Sequence, residues 1–547
     1  MVSLLSPGNS PSALSTSRWN PQIPLLELLA KLPEPHPRQP TDLVIAFGTI
    51  FFMQLMLSTP HTGGWGLLRM GIVAPICFGA FTYLITCQVE NDDITHWGGS
   101  ILSFIYMMRI LEYFVFFPPE QHCHRIIPKS QLHPPVRSFK PPVHDNDHRP
   151  SEAEGEVLIP EPVPRPFTLA KFYWAGSLIW SYRGIGWAHQ CPLPRSSTEH
   201  PYTRKSSFKE WLKIQLPYYI ATYLIEDLCR AIRNVIGKDF FSGPNHLPYD
   251  SLTQSQRAVY SIAVVSRIHF GLILTWFHTA VCMIVLGKIL GWKGELWEPW
   301  GWPPMFGSLE NLWVHPGLST MWSKTWHGYN RRWLYVLGWI GIGENILGLT
   351  HTGISSHPSI PPQPEHKRNN DMPSGTSSPS ESGRVSPSHP IASSSSPNGP
   401  NRAVSTKLVI SNLIKSFITF LLSGLNHDAG SLALLIKNHP RTEPVYLNDL
   451  FRLTPFFILQ PVGLAFEALV KSIYRSNIKR FVERGKEPSW LVFTERLIGF
   501  VWTWTWLGWT ARYFVEGMAH LGAYRRDGDR DLYFSVWGGL VWGKWMI

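Results

Sequence analysis

Residues 408–437 read LVISNLIKSFITFLLSGLNHDAGSLALLIK, apolar and long enough to cross a bilayer, yet Asn426, His427 and Asp428 stand in a row inside them. Few folds accept such a segment. Lipid offers no hydrogen-bond partners, so a span of this length must satisfy its own backbone as a helix. Ionisable side chains within a span are costly and mark function by default.

The rest of the chain repeats the apolar theme. Candidate spans run over 43–58, 66–88, 98–117, 208–230, 261–292, 333–349, 408–437, 450–474 and 491–515, with 43–58 short for a straight crossing. The sequence therefore predicts an all-α, multi-pass integral membrane protein with eight or nine spans. Only 16% of its residues are charged, against about a quarter in soluble domains. The 25 tryptophans suit a protein that anchors at lipid–water boundaries.

The net charge of +11 sits mostly in loops between spans. Anionic headgroups or an anionic cosubstrate are the expected partners, rather than nucleic acid. The cysteines are scattered without a CxxC pair, which suggests neither zinc site nor disulfide framework. The N-terminal residues lack an apolar core followed by a small-residue cleavage site, so the first span is expected to act as the targeting signal.

Composition divides the chain. Residues 1–40 are polar and Pro/Ser-rich, 41–117 hold the N-terminal spans, and 118–166 form a Pro-rich loop. The histidines of that loop, His122, His124, His144 and His148, read as solvated rather than metal-binding. Residues 167–350 and 408–515 are two parts of one core, separated by a Ser/Pro-rich insertion at 351–407 that is expected to be disordered. Residues 516–547 end in an aromatic, Gly-rich piece expected at the interface. So is 167–187, as a helix lying in the interface or re-entering it. Arg109 and Glu112 lie three apart on one helical face, where they are expected to pair.

Three features carry chemistry. On a helix, Asn412, Ser416, Thr419, Ser423 and His427 form one polar stripe, which suits a protein-lined passage better than lipid. A helix over 319–333 would place Thr320, Lys324, His327 and Arg331 on one face and Trp322, Trp326, Tyr329 and Trp333 on another. An ordinary interfacial helix has the same pattern. Residues 183–187, RGIGW, read only as a tight turn, too short for a dinucleotide fingerprint.

Together these features resemble the wax synthase-like branch of the membrane-bound O-acyltransferase superfamily, of the kind found in fungal secondary-metabolite O-acetyltransferases. The segment Trp302-Pro303-Pro304-Met305-Phe306-Gly307-Ser308 is similar to that family's W-P-x-x-F-G-S entry. Residues 319–331 resemble its S-x-F-W-x-x-x-W-H-x-x-x-R box, with Met321 in place of Phe. Ser423-Gly424-Leu425-Asn426-His427 resembles the S-G-x-x-H segment that bears the intramembrane histidine, and RGIGW resembles a further family element. Phe456 to Gln460 with Glu467, and the Trp-rich 502–509, also fit. The matches run in family order from about 167 to 515. The Ser/Pro-rich insertion and Met321 depart from the pattern.

The resemblance implies helices around an intramembrane tunnel and acyl transfer from a coenzyme A thioester, acetyl-CoA above all, to the hydroxyl of a terpenoid or related metabolite. An imidazole suits proton abstraction near neutral pH, and a low-dielectric span favours its neutral form. His427 is the implied general base, Asn426 a supporting residue, and His327 a candidate to hold the thioester carbonyl or oxyanion. Lys324, Arg331 and Arg332 are candidates for the CoA phosphates. Ser423, Trp322 and Trp326 would line the tunnel. A thiolate leaves readily, so neither a metal nor a tightly bound cofactor is expected, nor a protein partner. The endoplasmic reticulum is the expected membrane. A long-chain wax ester synthase is the nearest alternative. A non-catalytic transporter or scaffold is the alternative from another class, although no internal repeat supports it.

Overall fold

A computed structural model of the chain describes residues 34–90, 93–128, 158–187, 202–241, 251–308, 310–326, 328–350, 406–438, 445–477, 487–522, 534–543 and 545. The N-terminal 1–33, most of the Ser/Pro-rich insertion, and His144, His148 and His327 lie outside the described residues.

The described chain is mostly helical. In order come α1 (Pro40–Leu57), α2 (Gly63–Thr86), α3 (Asp93–Phe116), α4 (Leu169–Trp180), α5 (Phe208–Phe241) and α6 (Gln254–Leu290). They are followed by α7 (Leu334–Ile346, wound as a π-helix), α8 (Thr406–Asn438), α9 (Thr454–Asn477), α10 (Ser489–His520) and α11 (Val536–Trp542). Two small sheets interrupt the helical pattern. His36–Pro37 pairs in parallel with Gln88–Val89, and Ile126–Pro128 pairs antiparallel with Leu158–Pro160. Six helices among the described residues are long and apolar enough to cross a membrane: α1, α2, α3, α8, α9 and Val264–Leu290 of α6. The other expected spans fall in α5, α7 and α10.

Local chemistry explains several boundaries. Pro40 opens α1, where Asp42 accepts from the free Gln39 N–H at 2.8 Å. Thr253 and Gln256 form a capping box at the start of α6, and Gly291, left-handed at φ 67°, ends that helix. The α9 start is capped from another helix. Asp428 of α8 accepts from the Leu453 N–H at 2.9 Å, the Thr454 N–H at 3.2 Å and the Thr454 hydroxyl. These N–H groups have no partner within α9, so a buried carboxylate supplies one.

Helix α8 sits among α2, α3, α7 and α9. Two glycines let it approach closely. A Cβ on Gly424 would lie 2.7 Å from the Thr454 hydroxyl, and one on Gly430 would lie 2.4 Å from the Trp97 ring. One apolar core joins α1 to α4 through Met53, Phe81, Ile110, Tyr113 and Trp174. A second joins Trp97 of α3 to Leu434, Phe457, Phe514 and Met518.

Buried charges lock the outer elements to this frame. Arg69 and Lys171 flank Glu120, at 3.0 and 3.2 Å. Burial alone would raise the Glu120 pKa, but these two cations outweigh it and hold the carboxyl below its usual range. Lys415 of α8, wholly buried, pairs with Glu344 of α7 at 2.9 Å.

Two expectations are corrected. Arg109 and Glu112 do not pair with each other. Arg109 donates to the carbonyls of Leu178, Ile179 and Ser181, and Glu112 takes Arg332. Helix α4 buries Trp174, Ala175, Leu178 and Ile179 in the core and packs on α1, while Leu169 and Tyr173 stay exposed. Residues 319–333 are not one helix. A π-turn over Met321–Thr325 ends at Trp326, whose backbone is extended, and helix resumes only at Arg331. The Thr320–Arg331 face therefore does not form.

Candidate active site

The site is built where α3, α6, α8, α9 and α10 meet the 291–330 region, around a cavity of about 2020 Å³. His427 borders it. Its Nδ1 lies 2.7 Å from the Ser423 carbonyl one turn earlier in α8. A carbonyl only accepts, so Nδ1 carries the proton and Nε2 is the nitrogen with a free lone pair. Phe457, Trp97 and Phe514 surround the ring at 4.4, 5.9 and 5.9 Å between centroids.

Trp322 and Trp326 line the same cavity, their rings 5.9 Å apart. Trp322 is held by Gln460, whose Oε1 accepts its indole N–H at 3.3 Å. Gln460 in turn donates to the Phe456 carbonyl and to Thr510 of α10, at 2.8 and 3.2 Å. The π-turn is tied down at its entrance as well, where Glu467 accepts the Leu318 N–H at 2.6 Å.

The separated sequence motifs come together in space. Arg183 donates to the carbonyls of Pro303 and Pro304, at 3.0 and 2.8 Å. Gly307 N–H bonds the Thr325 carbonyl at 3.0 Å. RGIGW is therefore more than a turn, since it anchors the segment that carries Met305 to the cavity edge. Trp187 of the same element donates to Glu295 at 2.9 Å.

Other expected site residues lie elsewhere. Asn426 is wholly buried and does not border the cavity, and neither end of its amide has a partner among the described residues. Ser423 reaches the site through its backbone carbonyl, not through a cavity-lining side chain. Lys324 is exposed outside the cavity. Arg331 donates to the Trp322 carbonyl at 3.3 Å. Arg332, only 3% exposed, bonds Glu112 and lies beside Cys123, so its charge is already compensated inside the protein. Burial pushes the Cys123 thiol up to about 11.

The polar stripe on α8 is also divided. Thr419 packs on Gly338 of α7, while His427 borders the cavity. One helix face meets different neighbours along its length. Sequence reasoning passed over Gln460 as a positioning group and Trp97, Phe457 and Phe514 as the wall around His427. Only the wall's aromatic character is legible in sequence.

Comparison with known proteins adds a distant relative. Over 376 residues, 67% of this chain, the sequence is 24% identical to a protein of Arthrobotrys oligospora named an acetyltransferase. The chain covers 63% of that relative, under two thirds of its length. No protein-family model matches the chain, and no solved structure does.

Proposed function

We propose that this protein is a membrane-bound O-acyltransferase that moves an acyl group, foremost acetyl from acetyl-CoA, onto the hydroxyl of a hydrophobic alcohol of the terpenoid kind. One observation carries the reading. A histidine in a membrane span, with Nδ1 fixed by a backbone carbonyl at 2.7 Å, borders a large cavity walled by aromatic side chains. The name of the relative points to the same class of reaction.

The chemistry follows from the tautomer. His427 Nε2 takes the hydroxyl proton as the alcohol oxygen attacks the thioester carbonyl. The C–O bond forms, the tetrahedral intermediate collapses, the C–S bond breaks, and the imidazolium returns the proton to the leaving thiolate. The Ser423 carbonyl holds the ring orientation and stabilises the imidazolium formed midway. Trp322, fixed by Gln460, shapes the wall along which the reactants lie. His327 stays the candidate for the developing oxyanion. Exposed Lys324 and partly buried Arg331 are the remaining candidates for CoA phosphates.

The size of the cavity also favours a second reading, transfer of a long acyl chain to a fatty alcohol. About 2020 Å³ exceeds the roughly 300–1,000 Å³ of common small-molecule sites. Membranes containing the protein, given labelled acetyl-CoA or palmitoyl-CoA with hydrophobic alcohols, separate the two. Ester formed preferentially from acetyl-CoA supports the first reading, and preference for palmitoyl-CoA supports the second. No ester from either donor removes both. In eukaryotic cells the enzyme is expected in the endoplasmic reticulum, which fluorescence microscopy of a tagged chain checks.

A further inference from the structure

A second imidazole faces the same cavity. His269 lies near the middle of α6, with its ring 3.9 Å from Phe306 and 5.9 Å from Trp326 between centroids. The mechanism above does not use it. Several of its neighbours on this wall have already committed polar groups. Thr275 donates to the Gly271 carbonyl at 2.9 Å, and Trp276 donates to the Pro303 carbonyl at 3.2 Å. Trp322 is held by Gln460, and Tyr329 stacks on Tyr182. His269 makes no hydrogen bond among the described residues. A neutral imidazole there keeps one donor and one acceptor for whatever enters the cavity.

The two histidines stand on different helices. Along the wall, Phe457, Phe456, Trp322 and Trp326 lie between them, each ring touching the next at 5.0, 6.2 and 5.9 Å. A substrate that reaches both must lie along this aromatic face. Apolar pockets fix the orientation of a ligand through a few placed polar groups, and His269 is placed for that role at the far end of the wall from the reacting hydroxyl.

We infer that His269 is a specificity-determining residue, binding a second oxygen function of the acceptor, a hydroxyl or a carbonyl, remote from the hydroxyl that is acylated. The acceptor class is then a hydrophobic alcohol with at least two oxygen groups, not a simple fatty alcohol. This inference rests on the acyl-transfer reading.

The test compares two acceptors of one carbon skeleton, a mono-alcohol and its diol or keto-alcohol, with acetyl-CoA and the membrane-embedded full chain. We expect His269→Phe, which keeps an aromatic ring against Phe306 and Trp326, to raise the KM for the diol about tenfold, the scale of one neutral hydrogen bond. We expect kcat, the KM for acetyl-CoA and the KM for the mono-alcohol to stay within about twofold. His269→Gln should recover part of the loss, and it carries the test alone if the Phe variant does not accumulate. Equal losses with both acceptors, a shift confined to the acetyl-CoA KM, or unchanged kinetics overturns the inference while leaving acyl transfer intact. Wild-type protein that acylates neither alcohol removes the acyl-transfer reading, and this inference with it.

Discussion

Asp428 and His427 are adjacent, and the fold gives them different work. Asp428 points at the start of α9 and accepts two of its backbone N–H groups. His427 borders the cavity, one turn from the carbonyl that fixes its tautomer. We therefore expect Asp428→Ala to cost about 1–2 kcal/mol, the usual loss when a helix cap is removed, read as a lower melting temperature of the solubilised protein. Turnover per folded molecule should fall far less than when His427 is replaced. The apolar run with a polar triplet announces that something costly is present. It does not say which residue of the triplet serves packing, because that depends on where α9 begins relative to α8. Asn426 shows the same limit. Its place in the S-G-x-x-H segment suggests catalysis, yet it is buried away from the cavity.

Among the elements, the ion pairs connect segments far apart in sequence. Arg332 and Glu112 join the entry to α7 to α3 in a buried pair. Removing one partner strands the other charge, so Glu112→Ala should cost about 3–5 kcal/mol, seen as loss of folded protein in detergent. Glu120 gives a pH-dependent case. Its pKa in the fold lies below the ordinary 4.5, so the carboxylate binds protons more weakly folded than unfolded. The stability it contributes is present above about pH 4.5 and is lost as pH falls below that value. Melting temperatures scanned from neutral to acidic pH should drop in this window, and Glu120→Gln should flatten the drop. The sequence locates these acids and bases but not their partners. Arg109 and Glu112 fit a helical pair by spacing, yet each finds a better-placed group across the bundle. Helical periodicity likewise predicted a continuous face over 319–333. A π-turn and the extended Trp326 break it, and contacts with Glu467 and Gln460 on α9 hold the broken form in place.

At the scale of the molecule, the helical membrane character was legible from the apolar runs, because bilayer thickness fixes the length of a span. The convergence of residues 183–187, 302–308 and 319–331 was legible only as a resemblance. Periodicity describes one element at a time, and the cavity belongs to several. The cavity is lined by aromatic rings from several elements, and the proposed direct transfer needs both substrates held there together. We expect double-reciprocal plots at varied acyl-CoA and alcohol to intersect, as a ternary complex demands. Parallel lines would point to a covalent acyl-enzyme instead.

The most direct measurement concerns His427. In membranes with matched protein levels, single-turnover ester formation from labelled acetyl-CoA and an accepted alcohol should be about 10²–10⁴-fold slower in His427→Ala than in the wild type, with the melting temperature little changed. Wild-type turnover in a stably folded His427→Ala variant would contradict the assignment of this imidazole as the base.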